Sequence, residues 1–172
     1  ISEYAFYNTK IAALNDLDNL KTIGDFAFAG IKIEDLTLGD DITIGKYAFS
    51  YCIYLKNINL GNNVTIGDYA FYNVIYSYEY ANTNSFAHYT PYTYDVLDDQ
   101  GNVIKTNSYY RYNFADGIIS ALKTVNAGTN LVIGEGVFYG NGKLQVVNLQ
   151  DNTIVKDYAF FSCASLDTID FT

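Results

Sequence analysis

With 172 residues, 49% hydrophobic and 17% charged, the chain can bury a substantial core as one domain or one stretch of a repeat array, and disorder is excluded. A net charge of −9 built from scattered Asp and Glu, with Lys and Arg unclustered, argues against nucleic acid and against an anionic membrane surface as partners. No apolar run approaches the ~20 residues that span a bilayer, and a single histidine rules out a His-rich metal site.

The chain opens on Ile1-Ser2-Glu3-Tyr4-Ala5-Phe6, and the Ala-Phe ending then returns at Phe28, Phe49 and Phe71, at steps of 22, 21 and 22 residues. After a gap of 67, about three steps, the beat resumes at Phe138, where Val137 replaces the alanine, and at Phe160, 22 apart. A fixed period in the 20s signals stacked structural repeats. The full unit is Ile44-Gly45-Lys46-Tyr47-Ala48-Phe49-Ser50-Tyr51-Cys52, then Leu55-Lys56-Asn57-Ile58-Asn59-Leu60 and a Gly61-Asn62-Asn63 turn.

The Leu-x-x-Ile-x-Leu half keeps the same beat, at Ile33/Leu36/Leu38, Leu122/Val125/Ala127, Leu144/Val147/Leu149 and Leu166/Ile169/Phe171, with a weaker copy at Leu14/Leu17. Alternation of apolar and polar residues predicts short strands with one buried face, and the Gly/Asp/Asn clusters predict turns between them. One unit cannot bury its own apolar face; stacked units form continuous columns of Phe, Leu and Ile. The glycine after Ile (Gly24, Gly45, Gly67, Gly134) marks a place needing positive φ or close backbone approach, although Lys156 fills it once.

The beat fails between Phe71 and Phe138. Phe114 reads as a degenerate Ala-Phe position, and Ile75, Tyr78 and Tyr80 as a distorted strand half, leaving about 81–112 as an insertion or irregular repeat. Residues 76–112 hold nine of the 18 tyrosines together with His88, Pro91 and Arg111, each the only one of its kind. Tyr94–Leu97 and Asn102–Lys105, joined through Asp98-Asp99-Gln100-Gly101, predict a β-hairpin. The acidic turn lacks the alternating ligands and distal Glu of a calcium loop.

These motifs carry a resemblance. The Ile-Gly-x-x-Ala-Phe-x-x-Cys-x-x-Leu-x-x-Ile-x-Leu string resembles the BspA-type leucine-rich repeat, over residues 1–72 and 114–172. The resemblance implies a β-rich leucine-rich-repeat solenoid, residues 1–172, with stacked ~22-residue repeats and short parallel strands, interrupted by the Tyr-rich insertion. It also implies a bacterial or protist protein, extracellular or at the cell surface, that adheres to a protein or glycan on another cell or in the matrix. Because the chain opens and stops inside a repeat with no polar cap in view, it is expected to be a fragment of a longer array.

Candidate sites follow from these readings. No residues suggest catalysis, a cofactor or a metal: His88 has no Ser or Cys partner at motif spacing. Cys52 and Cys163, the same repeat position about five units apart, are expected some ~24 Å from each other at ~4.8 Å per strand, too far for a disulfide. The strand-exposed ladder (Asp35/Thr37, Asn57/Asn59, Thr124/Asn126, Val146/Asn148, Thr168/Asp170) reads as a solvated face. A column of Tyr4, Phe26, Tyr47, Tyr69, Tyr112 and Tyr158 reads as packing, with glycan binding as the alternative. In the insertion, Tyr89, Tyr92, Tyr94, Tyr109, Tyr110 and Arg111 are the candidate partner-binding residues, since Tyr and Arg supply contact area at low entropic cost. A structural cap over irregular core is the competing reading of the insertion, and a passive spacer that of the whole chain.

Overall fold

In the computed structural model, residues 1–17, 19–73, 89–97, 103–112 and 120–171 are described, the stretches 89–97 and 103–112 through their backbone. The chain divides into two compact units, residues 1–76 with 118–172, and residues 77–117.

The first unit is a parallel β-solenoid. Two-residue strands β1 (Thr22–Ile23), β3 (Thr43–Ile44), β5 (Thr65–Ile66), β9 (Val132–Ile133) and β11 (Ile154–Val155) form one sheet in that order. Four-residue strands β2 (Asp35–Leu38), β4 (Asn57–Leu60), β8 (Thr124–Ala127), β10 (Val146–Leu149) and β12 (Thr168–Phe171) form the other. Every pairing in both sheets is parallel, and equivalent residues of successive coils face one another, as in Ile44↔Ile66 and Ile58↔Val125. No helix occurs among the described residues.

Alternation sets the inside and outside of the longer strands. Leu36 and Leu38 of β2, and Ile58 and Leu60 of β4, are buried, while Asp35, Thr37 and Asn59 are exposed. Phenylalanines run through the core as one column: Phe6, Phe28, Phe49, Phe71, Phe138 and Phe160 stack at centroid distances of 5.2, 5.3, 5.3, 5.5 and 5.3 Å. Fully burying a side chain of this size contributes about 1.5–3 kcal/mol, so the column is a main source of cohesion between coils.

The Ala-Phe corner is held by backbone. Its aromatic residue two places before the phenylalanine is left-handed, with φ of 54° at Phe26 and Tyr47 and 58° at Tyr69. Three alternate N–H groups per corner then point at the next coil: Phe26, Phe28 and Gly30 donate to the carbonyls of Lys46, Ala48 and Ser50 at 2.8–2.9 Å. The opposite turn also uses left-handed residues, Asp41, Asn63, Asn130 and Asn152, which explains Asp and Asn there, since their short polar side chains tolerate that region. Gly24, Gly45, Gly67 and Gly134 are needed for a different reason. None has positive φ, but a Cβ on Gly45 would lie 2.6 Å from the backbone N of Asp25, and one on Gly134 would lie 2.7 Å from the carbonyl O of Ile66.

Two expectations need correction. A repeat between Phe71 and Phe138, anchored on Phe114, does not exist in the stack: Phe71 touches Phe138, β4 pairs with β8, and β5 with β9. Paired residues there are 67 apart instead of 22, so a surplus of 45 residues leaves and re-enters within one coil. Phe114, and the Ile75/Tyr78/Tyr80 strand half, lie outside the described residues. It follows that Cys52 and Cys163 are three coils apart and not five, because the interruption adds residues without adding height. Both are free and buried, as their spacing required.

In the second unit, β6 (Tyr89–Leu97) and β7 (Val103–Tyr112) pair antiparallel as a two-stranded sheet. The hairpin is longer than expected at its open end, running to Tyr89↔Tyr112, with an irregularity between Val96 and Leu97. The expected turn at 98–101, and His88, lie outside the described residues.

Candidate binding surfaces

The coil interrupted in sequence by the insertion contains buried polar groups. The last described residue before it is Asn73 and the first after it is Ser120, both buried. Ser120 donates its hydroxyl to Asn141 Oδ1 at 2.7 Å and accepts the N–H of Leu122, while Asn141 Nδ2 donates to the Phe71 and Phe138 carbonyls at 2.8 and 2.9 Å. Asn73 donates its backbone N–H to Tyr139 at 3.0 Å. In sequence, the 45 surplus residues thus fall between the Ala-Phe turn and the longer strand of one coil, with buried polar residues at 73 and 120 on either side.

Asn141 repeats a role that cysteine plays elsewhere. Cys52 Sγ donates to the Phe28 carbonyl at 3.4 Å and Cys163 Sγ to the Phe138 carbonyl at 3.2 Å, each standing three residues after its own phenylalanine. Asn141 stands three after Phe138 and donates to Phe71 in the same way. Burial pushes both thiols up to about 12, so they stay protonated hydrogen-bond donors. Sequence reading missed Asn141, although aligning on the phenylalanines places it in the cysteine column.

Outer faces of the solenoid are occupied by their own ladders. Asn126 Nδ2 donates to Asn59 Oδ1, and Asn148 Nδ2 to Asn126 Oδ1, both at 2.8 Å; Asn57 donates to Asp35 at 2.7 Å. Along the turn, Asn63, Asn130 and Asn152 each donate to the residue one coil before, ending on Asp41, which also pairs with Lys21 at 3.4 Å. The Asn63 hydrogen bond, then Lys21, hold the Asp41 carboxyl below the ordinary range. The side chains of each ladder spend hydrogen-bonding capacity on one another, as a solvated structural face does.

The aromatic column at the corner stacks on itself from coil to coil. Tyr4, Phe26, Tyr47 and Tyr69 stack face to face at 4.9, 4.9 and 5.3 Å, which covers the ring faces between successive coils. Tyr112 is not its next member. That place belongs to Gly136, where a Cβ would meet the Tyr69 ring at 2.4 Å, and Tyr69 donates its hydroxyl to Glu135 at 2.8 Å. This hydrogen bond raises the Tyr69 phenol to about 12.

The six candidate recognition residues all lie on β6 and β7. Register pairs Tyr92 with Tyr109, Thr90 with Arg111 and Pro91 with Tyr110. Because opposed residues share a face and faces alternate, positions 92, 94, 109 and 111 fall on one face of the ribbon, and 89 and 110 on the other. The hairpin thus brings four of the six together by register.

Among the described residues, no group of three or more His, Cys, Asp or Glu is placed to hold a metal, and no helix is long and apolar enough to cross a membrane.

Comparison with known families decides the class of the chain. The BspA type leucine rich repeat region matches in six copies, over residues 1–95 and 99–172. The chain belongs to the BspA-type leucine-rich repeat family. Its β-solenoid with ~22-residue spacing is the fold that family membership calls for. Among solved structures, a leucine-rich repeat protein from Bacteroides ovatus is similar at 14% identity and a TM-score of 0.24, over 99% of this chain. The chain spans 57% of that protein's length. No curated protein matches it. As a BspA-type repeat protein it is a repeat module, and its six phenylalanine corners, five Ala-Phe and one Val-Phe, are that module's scaffold.

Proposed function

We propose that this BspA-type module is a non-catalytic, cell-surface or extracellular adhesion element. In this reading the Tyr-rich insertion recognises a protein or glycan on another cell or in the matrix. One observation carries the proposal: the solenoid is continuous across the interruption, with Phe71 on Phe138 and β4 on β8, so the 45 surplus residues add no coil to the stack. A segment that adds no coil, and that gathers half of the chain's tyrosines with its one arginine, has the composition of a recognition surface. Insertions into repeat arrays tend to lie on a binding face. Tyr92, Tyr94, Tyr109 and Arg111, sharing one face of the hairpin by register, are the residues that would carry contact. Tyr89 and Tyr110 belong to the opposite face.

A second reading, a passive spacer, draws on the self-paired Asn59–Asn126–Asn148 ladder, which leaves the longer sheet without an aromatic or arginine anchor. One comparison separates the two. The chain and a variant lacking residues 75–119, which returns the Phe71–Phe138 step from 67 residues to 22, are tested against matrix proteins and cell-surface glycans. Binding by the full chain that is lost on excision supports recognition by the insertion. Equal binding by both moves recognition to the solenoid, and absence of binding by either leaves the spacer.

A further inference from the structure

Stacking gathers cations that the sequence scatters. One residue before the buried leucines Leu55, Leu122 and Leu144 stand Tyr54, Ala121 and Lys143, and one residue after them stand Lys56, Lys123 and Gln145. Backbone hydrogen bonds fix the second of these columns. Lys123 donates its N–H to the Lys56 carbonyl at 2.8 Å, and Gln145 donates to the Lys123 carbonyl at 2.9 Å. Lys56 and Lys123, 67 residues apart in sequence, are therefore neighbours across one strand spacing of ~4.8 Å. Lys143 stands one coil further on, and all three lysines are exposed.

Like charges opposite one another on neighbouring strands are destabilising, and the corner does not neutralise them. Glu34 takes Lys56 at 2.7 Å, whereas Lys123 and Lys143 have no ion-pair partner among the described residues. Beyond Lys123 the column continues with Gln145, and Asp167 follows only in the coil after that, about 10 Å from Lys123 at two strand spacings. Exposed charges further apart than ~8 Å are largely screened at physiological ionic strength. This corner thus presents local positive charge on a chain of net −9. Tyr54 lies beside the lysines, 47% exposed, and its ring stacks on no other among the described residues, unlike that of Tyr47 or Tyr51. Ala121 follows Tyr54 in its column, and its single methyl leaves room between that ring and Lys143.

We propose that Tyr54, Lys56, Lys123 and Lys143 form a binding site for an acidic polysaccharide, one bearing sulfate or carboxylate groups. An exposed tyrosine ring offers an apolar face for the C–H side of a sugar and a hydroxyl for its polar edge. The lysine ammonium groups donate charge-assisted hydrogen bonds to anionic oxygens. Charge repeated along a polymer matches lysines repeated from coil to coil. The class of partner rests on the extracellular recognition reading above, but the site uses none of the insertion's residues.

Calorimetric titration of the full chain with dextran sulfate and with polygalacturonate tests this, with neutral dextran and poly-glutamate as comparisons. At least one of the acidic polysaccharides is expected to bind, more weakly as salt is added, and dextran is not; which of the two binds decides between sulfate and carboxylate. Lys123→Glu and Lys143→Glu are each expected to weaken binding about tenfold or more, the worth of one charged hydrogen bond. Tyr54→Ala is expected to weaken polysaccharide binding several-fold. Lys21→Glu, which makes the same charge change on the opposite turn, and Tyr109→Ala with Arg111→Ala in the insertion are expected to leave it unchanged. Failure of the insertion as a recognition surface is therefore read separately from failure here. Binding of neither acidic polysaccharide, an equal loss with Lys21→Glu, loss with the insertion pair, no effect of Tyr54→Ala, or poly-glutamate bound as tightly as the polysaccharides would each overturn the proposal.

Discussion

Replacing Phe49 by alanine removes the ring at the middle of the phenylalanine column. The residue is 1% exposed and contacts Phe28 and Phe71, each at 5.3 Å. A buried Phe→Ala change costs about 3–5 kcal/mol as lost transfer free energy plus cavity. The two ring pairs, each worth about 0.5–1.5 kcal/mol beyond area, place this site in the upper half, at about 4–5 kcal/mol. Phe6→Ala is the internal control, because Phe6 is 38% exposed and has a column partner on one side, Phe28 at 5.2 Å. Scaling for exposure and for one ring pair instead of two gives about 2–3 kcal/mol. The assay is urea denaturation followed by circular dichroism; at a slope of about 2 kcal/mol/M, the two variants separate by about 1 M in midpoint. A loss under about 1 kcal/mol for Phe49→Ala, or equal losses for both, would refute the claim that the column is the core.

Three further predictions follow from the polar and titratable groups. Asn141→Ala strands two carbonyls and the Ser120 hydroxyl, at a cost of about 3 kcal/mol, whereas Asn141→Cys keeps a donor for Phe71 and costs about half as much; equal urea midpoints for the two variants would contradict the shared Cys/Asn role. Cys52 and Cys163, buried and raised to about 12, are expected to resist a thiol reagent in the native state and to react together once urea unfolds the chain. Rapid native labelling would show that the coil ends open. Thermal stability is expected to plateau near neutral pH and fall on both sides. On the acid side, Asp68 is lowered by the Glu135 N–H and then Lys46, and Asp41 by Asn63 and then Lys21. Both bind fewer protons folded than unfolded, so their small, exposed contribution is present above about pH 4 and lost below it. On the alkaline side the raised Cys52, Cys163 and Tyr69 contribute fully below their unfolded values and lose that contribution as pH rises towards 12. Stability that climbs from pH 8 to 11 would reverse the sign of this argument.

The regular coils were legible because each column is a residue type at fixed spacing. Phe at the corner, Ile before Gly, and Ile-x-Leu in the strand all occur where the structure puts buried columns. What the period hid was height. A gap of 67 residues looks like about three steps, yet Phe71 stacks on Phe138, because a periodic sequence counts residues and a solenoid counts coils. The surplus belongs between the two halves of one repeat, and that misplacement also stretched the expected distance between the cysteines. Gly45 was legible as a special position but not as which kind, since a tight contact with the preceding coil and a positive φ both select glycine. The left-handed φ of Phe26, Tyr47 and Tyr69 left no trace in residue type, because aromatic side chains are not the ones that conformation favours. Asn141 was hidden by its difference from cysteine, though the two donate to the same carbonyl position.

Direct stacking across the interruption is the claim on which the rest depends, and a pair of engineered cysteines tests it. Asn59 and Asn126 are register partners in β4 and β8, roughly 4.8 Å apart as neighbouring strands are. An intervening coil would double that separation and exceed the ~7 Å Cα limit for a disulfide. Asn59→Cys with Asn126→Cys is therefore expected to oxidise to an intramolecular disulfide, read by mass spectrometry after proteolysis. Asn59→Cys with Asn148→Cys, two strands apart, is expected to stay reduced. A disulfide in neither variant, or in the second alone, would contradict the continuous solenoid.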